Sequence, residues 1–251
     1  MQRESSNIIE VKKVNFSFGN NQVLKDVSFN VERGGYLGII GPNGSGKSTL
    51  LKIILGLNKP KSGEVLINNV CVPEALDRCT VGYVPQRISQ DFQTLPATVY
   101  EIVESGMVSE EKLFKSIKNK QERIDEALKL AGLIAKKDKL IGNLSGGQKQ
   151  KAFIARSLVA QPQILILDEP FVGVDLSSQD DFYKFLNKLN VEKKLTIIFV
   201  SHDIDIITRH AKQIIALNQS VVYTGEAEKV DEAELIESIY GTKFIHIHHD
   251  R

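Results

Sequence analysis

With 251 residues, 42% of them hydrophobic and 25% charged, the chain has the composition of a globular protein holding one large domain or a core with an inserted subdomain. Its formal net charge of +1 leaves no basic excess for a nucleic-acid footprint, so no nucleic-acid partner is expected. The opening MQRESSNIIEVKK has no signal-like apolar run, and no stretch reaches the ~20 apolar residues that span a bilayer. The chain is not expected to cross a membrane by itself.

The predicted elements begin with strands. Val14, Phe16 and Phe18 alternate, as do Val27, Phe29 and Val31 after the turn GNNQ, which is the period of half-buried strands. The compact run YLGII (36–40) suits a buried central strand, and residues 48–55 read as a helix with Leu50, Leu51, Ile54 and Leu55 on one face. GEVLIN (63–68) and VGYVPQ (81–86) are further short strands. Cys71 and Cys79 are too few for a disulfide framework or a cysteine zinc site and read as small buried hydrophobes.

Residues 98–140 change in texture, rich in Lys, Glu, Leu and Ile at helical spacing, and predict a helical subdomain with a solvated charged face. Strands return in QILILDEP and LTIIFVSHD, continuous apolar runs of the kind covered on both faces of a mostly parallel sheet. The expected organisation is a single domain over 8–240, a helical subdomain of about 90–155 inserted in the core, and a tail over 241–251.

Between the central strand and the following helix lies Gly41-Pro42-Asn43-Gly44-Ser45-Gly46-Lys47-Ser48, the full phosphate-loop pattern, followed by Thr49. Glycines permit a tight loop whose backbone N–H groups face an anion, and the helix adds its positive end. Lys47 brings a point charge to the β- and γ-phosphates of a nucleotide, and the Ser48 hydroxyl can ligate Mg²⁺. Asp168 and Glu169 end an apolar strand; Asp168 is expected to hold Mg²⁺ and Glu169 to activate the attacking water. A second anion-binding pattern, LSGGQ (144–148), opens another helix, with Ser145 as the natural cap. Two such sites about a hundred residues apart are reconciled most simply by two copies lying head to tail.

These pieces, in this order, resemble the ATP-binding cassette family over essentially the whole chain. The resemblance implies an α/β fold: a phosphate-loop NTPase core with a mostly parallel sheet, an antiparallel β subdomain and an inserted α-helical subdomain. It implies that Phe18 stacks on adenine. Gln86 would sense Mg²⁺ and the attacking water, and His202 would contact the γ-phosphate. Leu144, Ser145, Gly146, Gly147 and Gln148 would reach the partner copy's ATP, and Asp175 would close the D-loop. Taken alone, Phe18 reads as a core strand residue, Gln86 as a polar loop residue and His202 as a helix cap or core histidine. The sequence departs from the pattern at Lys151, where Arg is usual and an ion pair would be weakened. It departs also at VGVD (172–175), which lacks the usual serine, and at Phe18, where tyrosine is commoner.

DEPFVGVD, TLPATVYEIVESGM and the closing YG…HIHHD resemble the branch that imports zinc and manganese. That resemblance implies the ATP-hydrolysing subunit of a metal-ion importer, zinc favoured, with manganese or iron-chelate import as the alternative and a soluble regulatory ATPase as a more distant one. The implied partners are a second cassette, integral membrane permease subunits and an extracellular metal-binding protein, the chain itself lying peripherally on the cytoplasmic face of a bacterial membrane. His246, His248 and His249, with Asp250 as a fourth ligand, can bind zinc; residue chemistry alone favours a polar terminus.

Overall fold

The computed structural model describes residues 6–77, 81–86, 95–107, 119–170 and 176–241. In chain order the strands are β1 (Asn7–Phe18), β2 (Asn21–Glu32), β3 (Tyr36–Ile40), β4 (Ser62–Ile67), β5 (Val70–Cys71), β6 (Val81–Val84), β7 (Ile164–Asp168), β8 (Thr196–Ser201), β9 (Gln213–Asn218) and β10 (Ser220–Glu226). The helices are α1 (Lys47–Ile54), α2 (Val99–Glu104), α3 (Lys120–Leu130), α4 (Gly146–Leu158), α5 (Leu176–Lys193), α6 (Ile204–His210) and α7 (Glu232–Tyr240). They fall into two compact units, one of residues 1–79 and 194–251, the other of residues 80–193.

The first unit holds two β layers. One is the antiparallel sheet β2-β1-β4-β5, whose inward positions Val14, Phe16, Val27, Phe29 and Val31 are buried as the alternation predicts. In the other, β3 lies parallel to both β8 and β9, and β10 closes the edge antiparallel to β9. All five residues of β3 and all six of β8 are buried, which explains why these strands read as unbroken apolar runs. Gly38 makes the close packing possible: a Cβ there would lie 2.7 Å from Ile207 Cδ1 on α6.

The second unit pairs β6 with β7 in parallel and packs helices beside them. Gly82 lets α4 approach β6, since a Cβ there would lie 3.0 Å from Ser157 Cβ. Arg123 on α3 donates from Nε and Nη2 to the carbonyl of Val159, at 3.0 and 2.6 Å, closing the last turn of α4. The predicted helical stretch is broken more than its periodicity suggests. Helix α3 stops at Gly132, which takes φ 68°, the left-handed geometry that ends helices at low cost. Short 3₁₀ turns then carry the chain through 134–136 and 141–143 to α4.

One expectation is corrected. Cys71 is exposed, because β5 is a two-residue edge strand whose outer face meets solvent, and its thiol lies 3.7 Å from Glu64 Oε2. Cys79 lies outside the described residues. Among the described residues no helix is long and apolar enough to cross a membrane.

Candidate active site

The loop between β3 and α1 is shaped by three glycines. Gly44 and Gly46 take φ 81° and 101°, a region closed to most side chains. A Cβ on Gly44 would meet nothing within 4 Å, whereas one on Gly41 would lie 2.0 Å from the Leu217 carbonyl oxygen. The loop therefore rests on the end of β9 and opens outward at Gly44. Two further bonds brace it: Ser45 N–H donates to Pro42 O at 3.1 Å, and Gln219 N–H donates to Ser45 O at 2.9 Å.

Lys47 starts α1 and is only 6% exposed. Its Nζ donates to the carbonyls of Gly41 at 2.7 Å and Pro42 at 2.9 Å, so the charge is held on the loop itself. Ser48 is exposed and Thr49 half-buried one turn into the helix. Ser45 Oγ is buried, with no hydrogen-bond partner among the described residues. Loop, helix start and cation together match what a chain of phosphates requires.

His202 leaves the strand beside this loop. Ile40, the residue before Gly41, pairs with Ser201, the residue before His202, so both segments emerge from the same ends of adjacent parallel strands. His202 is exposed, and Asp203 caps α6, accepting from Ile206 N–H at 3.3 Å. That leaves neither the core nor the cap reading for His202. Phe18 ends β1 with 59% of its surface exposed, its ring edge-on to Phe16 at 4.9 Å. It is not a core residue.

The second unit collects the acids. Val84 pairs with Leu167, so Gln86 and the Asp168–Glu169 pair leave neighbouring strand ends together. Gln86 Nε2 donates to Glu169 Oε2 at 2.5 Å. Glu169 takes φ 44°, a costly conformation for a residue bearing a Cβ and one that concentrates at functional sites. Asp168 is 6% exposed and lies on the same face as Tyr83, whose hydroxyl pKa is pushed up to about 12, first by burial and then by the neighbouring Asp168 carboxylate.

Ser145 stands at the N-cap of α4, and its N–H donates to Gln148 Oε1 at 3.4 Å, the backward half of a capping box. Ser145 and Gly146 are exposed, Gly147 and Gln148 half-buried, and Leu144 is buried beneath them. Lys151, where an ion pair was the expectation, instead places Nζ 5.7 Å from the centroid of the Phe185 ring. A cation over a ring face needs no planar fork. Asp175 and the histidines 246, 248 and 249 lie outside the described residues. Among the described residues no group of three or more His, Cys, Asp or Glu is arranged to hold a metal ion.

Comparison with known proteins gives a consistent picture. The model of the family described as ABC transporter matches residues 24–172. The zinc uptake system ATP-binding protein ZurA of Listeria innocua is 40% identical over 223 residues, covering 88% of this chain and 87% of that protein. Among solved structures, cbiO1 from Clostridium perfringens, part of the ABC transporter complex cbiONQ, superposes with a TM-score of 0.82 at 32% identity, covering 92% of this chain and 93% of that one. A bacterial ABC transporter cassette solved as a dimer gives a TM-score of 0.72 at 32% identity, covering 88% of this chain and all of that one.

Proposed function

The chain belongs to the ABC transporter family and has its ATPase fold, and from that premise we propose that it hydrolyses ATP to drive zinc import through a separate membrane permease. The observation that carries the reading is the braced phosphate loop with Lys47 buried on it; the 40% identity to ZurA supports the choice of cargo.

In this reading Phe18 stacks on adenine, an exposed ring being free to do so. The loop Gly41–Thr49 and Lys47 bind the phosphates, Glu169 deprotonates or orients the attacking water, and His202 contacts the γ-phosphate. Ser48, Gln86 and Asp168 hold Mg²⁺; all are hard oxygen donors, suited to that ion. Bound there, Mg²⁺ supplies positive charge against the phosphate oxygens. Leu144 to Gln148 contact the nucleotide of a second copy, for which the exposed start of α4 and the dimeric relative are the support, and Asp175 lies at that dimer interface. The working assembly is a homodimer on the cytoplasmic face of a bacterial membrane, joined to permease subunits and served by an extracellular metal-binding protein. The tail histidines 246, 248 and 249 bind zinc as a feedback signal rather than as the transport path.

Uptake of radioactive zinc and manganese by cells whose only copy carries Glu169→Gln tests this. Loss of zinc uptake with manganese uptake intact is expected. Loss of manganese uptake alone would keep the ATPase and overturn the cargo; loss of neither would overturn metal import altogether.

A further inference from the structure

Helix α4 covers one face of β6 and β7. A Cβ on Gly82 would lie 3.0 Å from Ser157 Cβ and 3.2 Å from Leu165 Cδ1, and the Ser157 hydroxyl sits 3.5 Å from the Tyr83 carbonyl oxygen. Gly82 pairs with Leu165 and Val84 with Leu167, so alternation puts all four on that face. The next members of the series are Gln86 and Glu169, and the bond between them continues the face past the strand ends.

Two helical turns before Ser157 on α4 stands Gln150. Its direction differs from that of Ser157 by only about 20° around the helix, so it too faces β6. A short connection, 159–163, joins α4 to β7, and β7 runs parallel to β6, so α4 runs antiparallel to both. The path of about 10.5 Å from Ser157 to Gln150 therefore leads from Gly82 toward the open ends of the strands. About three strand residues cover the same distance, and a long helical side chain leans further toward the helix N-terminus. Gln150 is level with the Pro85–Gln86 segment.

Its amide is poorly served there. Gln150 is 8% exposed, and its Oε1 is buried without a hydrogen-bond partner. A stranded acceptor destabilises the fold, and a methionine would fill the same space without one. Pro85 has no N–H to offer. The donor at this level is the Gln86 amide, whose Nε2 is held by Glu169 Oε2.

We propose that Gln150 is a positioning residue for Gln86, its Oε1 being the second acceptor to which the Gln86 amide passes from Glu169 when ATP is bound. The transfer frees a Glu169 oxygen for the attacking water and satisfies the buried Gln150 oxygen. This rests on the reading of Glu169 as the group that activates that water.

The test is Gln150→Met on the full chain, with steady-state ATP hydrolysis and thermal melting as readouts. Turnover should fall by roughly 3–10-fold, the worth of one neutral hydrogen bond, with the KM for ATP within about twofold of the parent's. The nucleotide-free melting temperature should equal or exceed the parent's, because the stranded acceptor is gone. In a Gln86→Ala background Gln150→Met should lower turnover no further, a dependence that a purely structural role for Gln150 would not produce. Parental turnover in Gln150→Met, an equal fall in the Gln86→Ala background, or a lower melting temperature would each overturn the proposal. Glu169→Gln is measured alongside: if it loses turnover and Gln150→Met does not, only the positioning role falls, and if it keeps turnover, both readings fall.

Discussion

Gln86 and Glu169, 83 residues apart in sequence, are joined by a 2.5 Å hydrogen bond from the amide Nε2 to the carboxylate Oε2. The bond ties the segment after β6 to the residue after β7, and it holds the Glu169 side chain at a backbone position already constrained to φ 44°. Glu169→Gln keeps the size and an acceptor oxygen for Gln86 but removes the base. ATP turnover should fall by about 100-fold or more, while ATP affinity stays within a few-fold of the parent. Steady-state phosphate release and fluorescent-nucleotide binding measure the two separately; turnover near the parental rate would remove Glu169 from its role.

Lys47 donates to the carbonyls of Gly41 and Pro42, so it both braces the loop and carries its charge. Lys47→Ala removes both. ATP affinity should drop by at least about tenfold, charge-assisted bonds to phosphate being worth roughly 1.5–3 kcal/mol each. Equilibrium binding of a fluorescent ATP analogue checks it, and unchanged affinity would contradict the phosphate-loop assignment.

Tyr36 is 1% exposed, edge-on to Phe199 at 5.4 Å, and its hydroxyl has no hydrogen-bond partner among the described residues. A buried unpaired hydroxyl costs about 1–3 kcal/mol, so Tyr36→Phe should be neutral or stabilising by about 1 kcal/mol, raising Tm by roughly 2–4 °C. Burial holds the phenol well above its ordinary pKa of 10.0. Since the unfolded chain ionises first, this tyrosine's contribution is intact below pH 10 and declines as the pH rises beyond it. Thermal melts of parent and Tyr36→Phe on both sides of pH 10 should diverge at the alkaline end, and parallel curves there would contradict the burial effect.

Thr98 and Glu101 form a capping box at the start of α2. Thr98 N–H donates to Glu101 Oε2 at 2.7 Å, and Glu101 N–H donates to Thr98 Oγ1 at 3.2 Å. The Thr98 backbone bond, with its hydroxyl second, lowers the Glu101 pKa from 4.5. The unfolded carboxyl takes up its proton first as pH falls, so the contribution is present above about pH 4.5 and lost through the lower folded value. Thr98→Ala should cost about 1 kcal/mol near neutral pH. Glu101→Gln should flatten the acid limb of the melting curve, and an acid limb as steep as the parent's would rule out this carboxylate as its source.

The phosphate loop was legible because its function needs particular residues at consecutive positions. Gly44 and Gly46 are read straight off the chain, and their positive φ values are what such glycines permit. The buried strands β3 and β8 were legible for a similar local reason, as runs of apolar residues. Phe18 was not: an alternating aromatic at a strand end reads equally as core, and only its 59% exposure separates the readings. Lys151 and Phe185 lie 34 positions apart, and nothing near either residue announces that one sits over the other. Cys71 misled because a small apolar residue after GEVLIN looks like core until β5 proves to be a sheet edge.

The sequence by itself determined the local chemistry: which backbone turns form, where anion-binding helix starts lie, and which strands are covered on both faces. Those properties depend on residues within one or two turns of each other, so order and spacing suffice. Tertiary structure decided the pairings across the sheet. The register of β6 on β7 sets Tyr83 on the same face as Asp168 and brings Gln86 to Glu169, and that of β3 beside β8 brings His202 out next to the phosphate loop. A one-residue slip in either register would turn each side chain to the opposite face. Register is a property of two strands packed together, which neither strand's sequence states alone.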